Sequence, residues 1–185
     1  MPAKKQPTKK QPTKKKPATK QPIIGMSHLG ICVRNMEKSL VFYRDLVGMK
    51  VVKEENQAVD GAGWEHVYRG QRRGRRIIYL RYNDDPGSPV LVVTEHVGEA
   101  VLGAPILLDE IGISHLSFSV PDLDALTKEL LAAGVKTAGP PDVFREADGV
   151  VRTVFFLDPD GMVVQFDHYE NPDIAKAEPK YKKKQ

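Results

Sequence analysis

The sequence predicts an α+β fold in which one strand, helix and strand unit occurs twice in tandem. Three observations predict it. The run Gly25-Met-Ser-His28-Leu-Gly-Ile-Cys-Val33 lies over Gly112-Ile-Ser-His115-Leu-Ser-Phe-Ser-Val120 with matching residues at matching places, which marks a duplicated module. A capped, amphipathic helical pattern follows each run. Several short extended stretches then follow each helix.

The elements can be justified in chain order. Prolines at 2, 7, 12, 17 and 22 recur in a leader that holds eight lysines and no acid. It has too little apolar surface to offset the entropy of ordering, so residues 1–22 are expected to form an extended tail. With no apolar core and no arginine, it reads as neither a secretory nor a mitochondrial signal. The first strand covers His28 to Val33. Asn35 can cap a helix whose inward side carries Met36, Leu40, Tyr43 and Val47, and Gly48 sits where a left-handed C-cap belongs. Extended stretches are expected near Met49–Glu55, Trp64–Arg69, Arg76–Tyr82 and Val90–His96. In the second copy, Asp122 caps a helix with Leu123, Leu126, Leu130 and Ala133, and Gly134 ends it. Stretches Val135–Ala138, Val150–Leu157 and Met162–Tyr169 complete the pattern, with Asp158-Pro-Asp-Gly161 as a hairpin turn. Residues 171–185 form a second basic tail.

Composition narrows the classes. The chain has 185 residues and a formal charge of +4. That sign comes from the termini, because the tails carry +8 and +3 and residues 23–170 carry −7. The folded part is therefore acidic, and weak polyanion contact is expected only through the Lys-rich tails. No apolar run is long enough to span a membrane. The sole cysteine, Cys32, excludes an intramolecular disulfide framework or a thiolate zinc cluster, suits a reducing, cytoplasmic compartment, and is expected as a small buried side chain. No nucleotide-binding glycine motif or serine elbow is present.

Successive strand residues point to opposite faces of a sheet. Leu29, Ile31 and Val33, like Leu116, Phe118 and Val120, form an apolar face for the helix. His28, Gly30 and Cys32, like His115, Ser117 and Ser119, form the other. Small residues beside a histidine leave room, so this second face reads as the wall of a cavity. Trp64 and His66 either line it or pack within it. The five arginines from Arg69 to Arg76 either attract an anionic ligand or belong to a solvated connection.

At these residues the sequence resembles the vicinal-oxygen-chelate superfamily, the glyoxalase, bleomycin-resistance and extradiol-dioxygenase group. The resemblance rests on SHLGICV with FYRDLVGMKVV, SHLSFSVPDLDAL with AAGVK, and FFLDPDGMVVQFDHYE, across about residues 24–170. It implies two βαβββ modules, here 24–103 and 112–170, forming a cupped mixed sheet within a domain of residues 23–170. It also implies a homodimer, a small-molecule substrate, and a divalent metal (Fe, Ni, Zn, Mn or Co) or none. Carried over, the metal ligands are His28, His115 and Gln165. The fourth place falls on Val92 or Val93, neither of which can bind a metal, and Glu95 or His96 is a displaced substitute. Glu95, His96 and Asp167 are the candidates for proton transfer, with Glu95 and Asp167 placed first. The implied function is a metal-dependent enzyme of the lactoylglutathione-lyase or acyl-CoA-epimerase kind, acting through an enediolate or enolate, or a dioxygenase. The alternative is a metal-free protein that sequesters a small molecule, as bleomycin-resistance members do.

Overall fold

The computed structural model describes residues 23–58, 64–69, 74–141 and 151–168. Both tails lie outside the described residues. The first module runs β1 (His28–Cys32), α1 (Met36–Leu40), β2 (Lys50–Ala58), β3 (Gly74–Arg81) and β4 (Val90–Glu95). The second runs β5 (His115–Val120), α2 (Leu123–Ala132), β6 (Thr153–Leu157) and β7 (Val163–His168). Each module has its own mixed sheet, ordered β1-β4-β3-β2 and β5-β7-β6, with the first-named pair parallel and the others antiparallel.

The caps sit where local chemistry places them. Asn35 Oδ1 accepts from Lys38 N at 2.9 Å and Asp122 Oδ1 from Ala125 N at 2.9 Å, so each helix start gains a partner for an otherwise orphaned donor. At the far end of α2, Gly134 N bonds Leu131 O at 3.0 Å and Val135 N bonds Leu130 O at 2.9 Å, with Gly134 at φ 77°. This closing pattern needs left-handed backbone, which glycine adopts without Cβ strain. Helix α1 continues as a π-helical turn over Val41–Leu46, in which Val47 N reaches back to Phe42 O. Phe42 and Tyr43 both end up buried there, in edge contact at 4.9 Å.

Two stretches differ from the sequence expectation. Trp64–Arg69 is no strand: Trp64–His66 forms a 3-10 turn, and Trp64 O accepts from Val67 N and Tyr68 N. The Trp64 and Tyr68 rings meet at 5.6 Å, tilted by 37°, a contact that a turn permits and an extended chain would separate. In the second module Val135–Ala138 makes only a bridge, Thr137 to Phe156, although Leu157 N→Lys136 O and Ala138 N→Phe155 O hold it beside β6. It thus occupies an edge-strand place without the length of a strand.

One apolar core serves both modules. Val33, Met36, Leu40 and Tyr43 of the first share a cluster with Leu116, Leu130, Phe156 and Phe166 of the second. The Tyr43 hydroxyl donates to Asp158 Oδ2 at 2.9 Å, joining α1's π turn to the β6–β7 hairpin. Arg34 adds an exposed clamp, donating to Asp160 Oδ1 at 3.1 Å and to Gly103 O at 2.8 Å. The two modules therefore pack against one another within a single chain.

Candidate functional site

Strand register decides which side chains share a face. Gly30 pairs with Val92 and Cys32 with Thr94 in the first module; Ser117 pairs with Gln165 and Ser119 with Asp167 in the second. Since Gly30 and Ser117 are equivalent by the repeat, Val92 is the counterpart of Gln165 and Thr94 that of Asp167. The fourth place that the family resemblance implies therefore falls on Val92 rather than Val93, and it carries no donor atom.

The helix-facing and open faces of β1 fall as alternation predicts. Leu29 and Ile31 pack against the core, whereas His28, Gly30 and Cys32 are exposed. Cys32 is therefore not the buried side chain expected of it. A Cβ built on Gly30 would meet nothing within 4 Å. Above this face lies a cleft of about 750 Å³ whose floor is His28, Gly30, Cys32, Val92 and Thr94. Its walls come from Tyr68, Tyr79, His96, the segment Val101–Pro105 and, on the second-module side, Asp158, Asp160 and Met162.

The same alternation separates Glu95 from His96. Glu95 faces the helix, where Oε2 accepts from Met36 N at 3.2 Å, a favourable place for a carboxylate at a helix start. Thr94 and His96 face the cleft. His96 is 5% exposed, and its Nδ1 lies 2.8 Å from Gly74 O. A carbonyl can only accept, so Nδ1 carries a proton, and in the neutral imidazole Nε2 is then the acceptor. The Tyr68 ring meets the imidazole edge-on at 5.2 Å. The register of Val92 and Thr94 would have given His96's face from sequence, but reading Trp64–Arg69 as a strand hid Tyr68.

The arginine-rich stretch resolves into different roles. Arg76 points to the helix side and binds Glu54 at 2.7 Å and Glu37 at 2.6 Å. Arg75, on the cleft side, donates through Nε to Gln57 Oε1 at 2.7 Å and lies 5.1 Å over the Trp64 ring. Arg69 and Arg75 both line the cleft, whereas Arg72 and Arg73 lie outside the described residues. Further along the cup, Glu55 accepts from the Tyr79 hydroxyl at 2.7 Å and pairs with Lys53. The Lys53 ammonium, then the Tyr79 hydroxyl, hold the Glu55 carboxyl below its ordinary range. Neither Arg69 nor Arg75 forms an ion pair with a carboxylate among the described residues, although the Glu55 charge acts on Arg75 and Asp158 and Asp160 also line the cleft.

The second module's open face is organised around Asp167, which is fully buried. Its oxygens accept from Ser117 Oγ at 2.6 Å, Thr153 Oγ1 at 2.5 Å and Gln165 Nε2 at 2.9 and 3.0 Å. Because the Gln165 amide donates to Asp167, Oε1 is the atom left to accept. His115 is half-buried and does not line the first-module cleft. His28 and His115 have like surroundings, with Nδ1 3.0 Å from Ser27 Oγ and 2.9 Å from Ser114 Oγ respectively.

These donors fit a divalent metal poorly. The repeat offers two imidazoles, one neutral amide oxygen and a valine, so it brings no negative charge to a dication. Glu95 is turned away and Asp167 is engaged by three side chains. Among the described residues, no group of three or more His, Cys, Asp or Glu is placed to hold an ion.

Comparison with known proteins gives a consistent picture. The sequence profile of the Glyoxalase/Bleomycin resistance protein/Dioxygenase superfamily matches residues 25–166. No curated protein matches the chain. Among solved structures, a glyoxalase family protein from Bacillus cereus is 14% identical with a TM-score of 0.66, over 80% of this chain and 96% of that one. The trypanothione-dependent glyoxalase I of Leishmania major is 21% identical with a TM-score of 0.59, over 83% and 91%. A glyoxalase family protein from Enterococcus faecalis is 21% identical with a TM-score of 0.53, over 78% and 98%. At such identities these structures speak for the fold alone, and they agree with the paired βαβββ modules. The profile spans more than half of the chain and both histidine-bearing strands, and on that ground the chain belongs to the Glyoxalase/Bleomycin resistance protein/Dioxygenase superfamily.

Proposed function

We propose that the protein binds a small molecule in the cleft over β1 and β4 and holds it with its own side chains, in the manner of a sequestering member of the family. The observation that carries this reading is Val92 at the place in the first module that Gln165 holds in the second. An apolar side chain there costs a metal one ligand but extends the floor of a ligand pocket. The cleft, at about 750 Å³, has the size of an ordinary small-molecule site, and its arginines favour an anionic ligand.

The test is direct. Protein purified without chelator is expected to carry well under one equivalent of metal. A panel of small organic anions is expected to shift its melting temperature equally with and without EDTA. A stoichiometric metal, with ligand binding lost in EDTA, would overturn the reading.

A second reading keeps the metal, and the matched Ser–His pairs of the two modules favour it. In it a weakly held Fe, Ni, Zn, Mn or Co ion sits on His28, His115 and Gln165, and the activity is lactoylglutathione-lyase-like, acyl-CoA-epimerase-like or dioxygenase-like. Alanine at either histidine would then abolish metal uptake at little cost in stability. Both readings include a homodimer. Leu107, Leu108, Ile111 and Ile113 are more than half exposed in the isolated chain, as expected of an interface, and light scattering checks this. Weak, salt-sensitive polyanion contact through the lysine-rich tails and a cytoplasmic location complete the proposal; no helix among the described residues is long and apolar enough to cross a membrane.

A further inference from the structure

We infer that Cys32 and Thr94 form a covalent capture site for small conjugated carbonyl compounds, in which the Cys32 thiol adds to the carbon–carbon double bond and the Thr94 hydroxyl binds the carbonyl oxygen. This inference rests on the ligand-binding reading above, since it uses the same cleft, and names a class of ligand for it.

The starting point is a hydroxyl without the partners that its counterpart has. Thr94 holds the place in the first module that Asp167 holds in the second. Asp167 meets Ser117, Thr153 and Gln165, whereas the register puts Gly30, Ile77 and Val92 at those places around Thr94. None of these three has a side-chain donor or acceptor. Thr94 is 8% exposed and lines the cleft, and its Oγ1 forms no side-chain hydrogen bond to another described residue. Nor is that atom one of the fully enclosed ones left without a partner, so it opens on the cleft. A polar side chain that is more than nine-tenths buried and opens on a cavity calls for a ligand atom.

Cys32 supplies the reaction. It is exposed on the cleft floor, pairs directly with Thr94 across β1 and β4, and has the open space over Gly30 beside it. The two residues are one strand spacing apart, about 4.8 Å, so one ligand can set an electrophilic carbon over the sulfur and an oxygen toward the hydroxyl. A thiol needs no dedicated base here, because its small thiolate fraction at neutral pH is strongly nucleophilic. The thiol proton passes to solvent, the thiolate bonds to the far carbon of the double bond, and the π pair moves onto the carbonyl oxygen as an enolate. Thr94 Oγ1–H donates to that oxygen as its charge develops. Water then returns a proton to the carbon beside the carbonyl, which restores the C=O bond. The adduct keeps every atom of both partners, with no oxidant and no leaving group.

Cys32 is the only cysteine in the chain, so mass spectrometry with peptide mapping follows a single thiol. The full-length protein is treated with cyclohex-2-enone and, separately, with iodoacetamide, which alkylates a thiol by displacement and forms no enolate. The ratio of the two rate constants cancels differences in thiol exposure and ionisation, and glutathione gives the reference ratio. The ratio at Cys32 is expected to exceed that of glutathione by at least about tenfold. Thr94→Val, which keeps the branched shape and loses the hydroxyl, should bring it to within about twofold of glutathione. Thr94→Ser, which keeps the hydroxyl, should retain the preference. The comparison of wild type with glutathione stands even if Thr94→Val misfolds. A wild-type ratio that falls short of the expected excess, or a preference that survives Thr94→Val, overturns this inference. The broader ligand-binding reading is judged separately by the anion panel on untreated protein: melting shifts there without an enone preference sink this inference alone.

Discussion

Replacing Tyr43 by Phe removes a single oxygen and tests whether the two modules are joined by a buried hydrogen bond. Tyr43 is fully buried and Asp158 is 5% exposed. The hydroxyl donates to Asp158 Oδ2 at 2.9 Å, while Oδ1 accepts from Asp160 N at 2.9 Å and Met162 N at 2.8 Å. The ring and its packing survive in the variant, so the cost is that of one hydrogen bond to a charged acceptor that stays buried, about 2 kcal/mol. For a chain of this length that corresponds to a fall in Tm of about 6 °C. The deficit should also depend on pH. Burial, as the largest effect, raises the Asp158 carboxyl above its ordinary value of 3.8, and the hydrogen bonds from Met162, Tyr43 and Asp160 partly offset the rise. An acid whose folded value is raised binds more protons in the native state, so its contribution to stability falls as pH rises from the unfolded value through the folded one. Losing the Tyr43 donor raises the folded value further. The variant's deficit is therefore full where Asp158 is ionised and shrinks as pH falls and the carboxyl is protonated. Urea denaturation of both proteins at about pH 8 and about pH 4.5 reads this directly. A deficit below about 0.5 kcal/mol, or one that is larger at the lower pH, would refute the reasoning.

Other perturbations follow from the same packing. Phe156→Ala, at a fully buried ring 6.1 Å from Phe166, should cost about 4 kcal/mol in chemical denaturation. Asn35→Ala and Asp122→Ala should each cost about 1 kcal/mol, and Gly in their place much less, since the lost interaction is a helix cap. Arg34→Ala removes an ion pair whose arginine side chain is 46% exposed; the loss should be at most about 1 kcal/mol and should shrink in salt. Gln165→Glu replaces the amide that donates to Asp167 by a second carboxylate, so it should destabilise the metal-free protein by about 2 kcal/mol, and added Zn or Mn should reverse that loss only if the metal reading is right.

What the sequence determined by itself is the part governed by short-range rules. The repeat of His28 and His115, the caps at Asn35 and Asp122, the left-handed glycines at 48 and 134, and the Asp158–Gly161 turn each depend on a few neighbouring residues, and each appears in the structure where the pattern places it. Alternation along β1 likewise separated the helix face from the open face. Tertiary structure decided the rest, because those choices depend on partners distant in sequence. Pairing of β1 with β4 set the register that puts Val92 opposite Gly30 and turns Glu95 to the helix and His96 to the cleft. One residue of slip would have exchanged them. Trp64 meets Tyr68 and Arg75 across a turn where the sequence reads as a strand, and the buried Tyr43–Asp158 bond joins the modules within one chain. Asp167 was visible as an acid on the face of Gln165, but only the approach of Ser117 and Thr153 from neighbouring strands engages its oxygens. Which face a residue occupies is a local property; which partners it meets there depends on long-range packing.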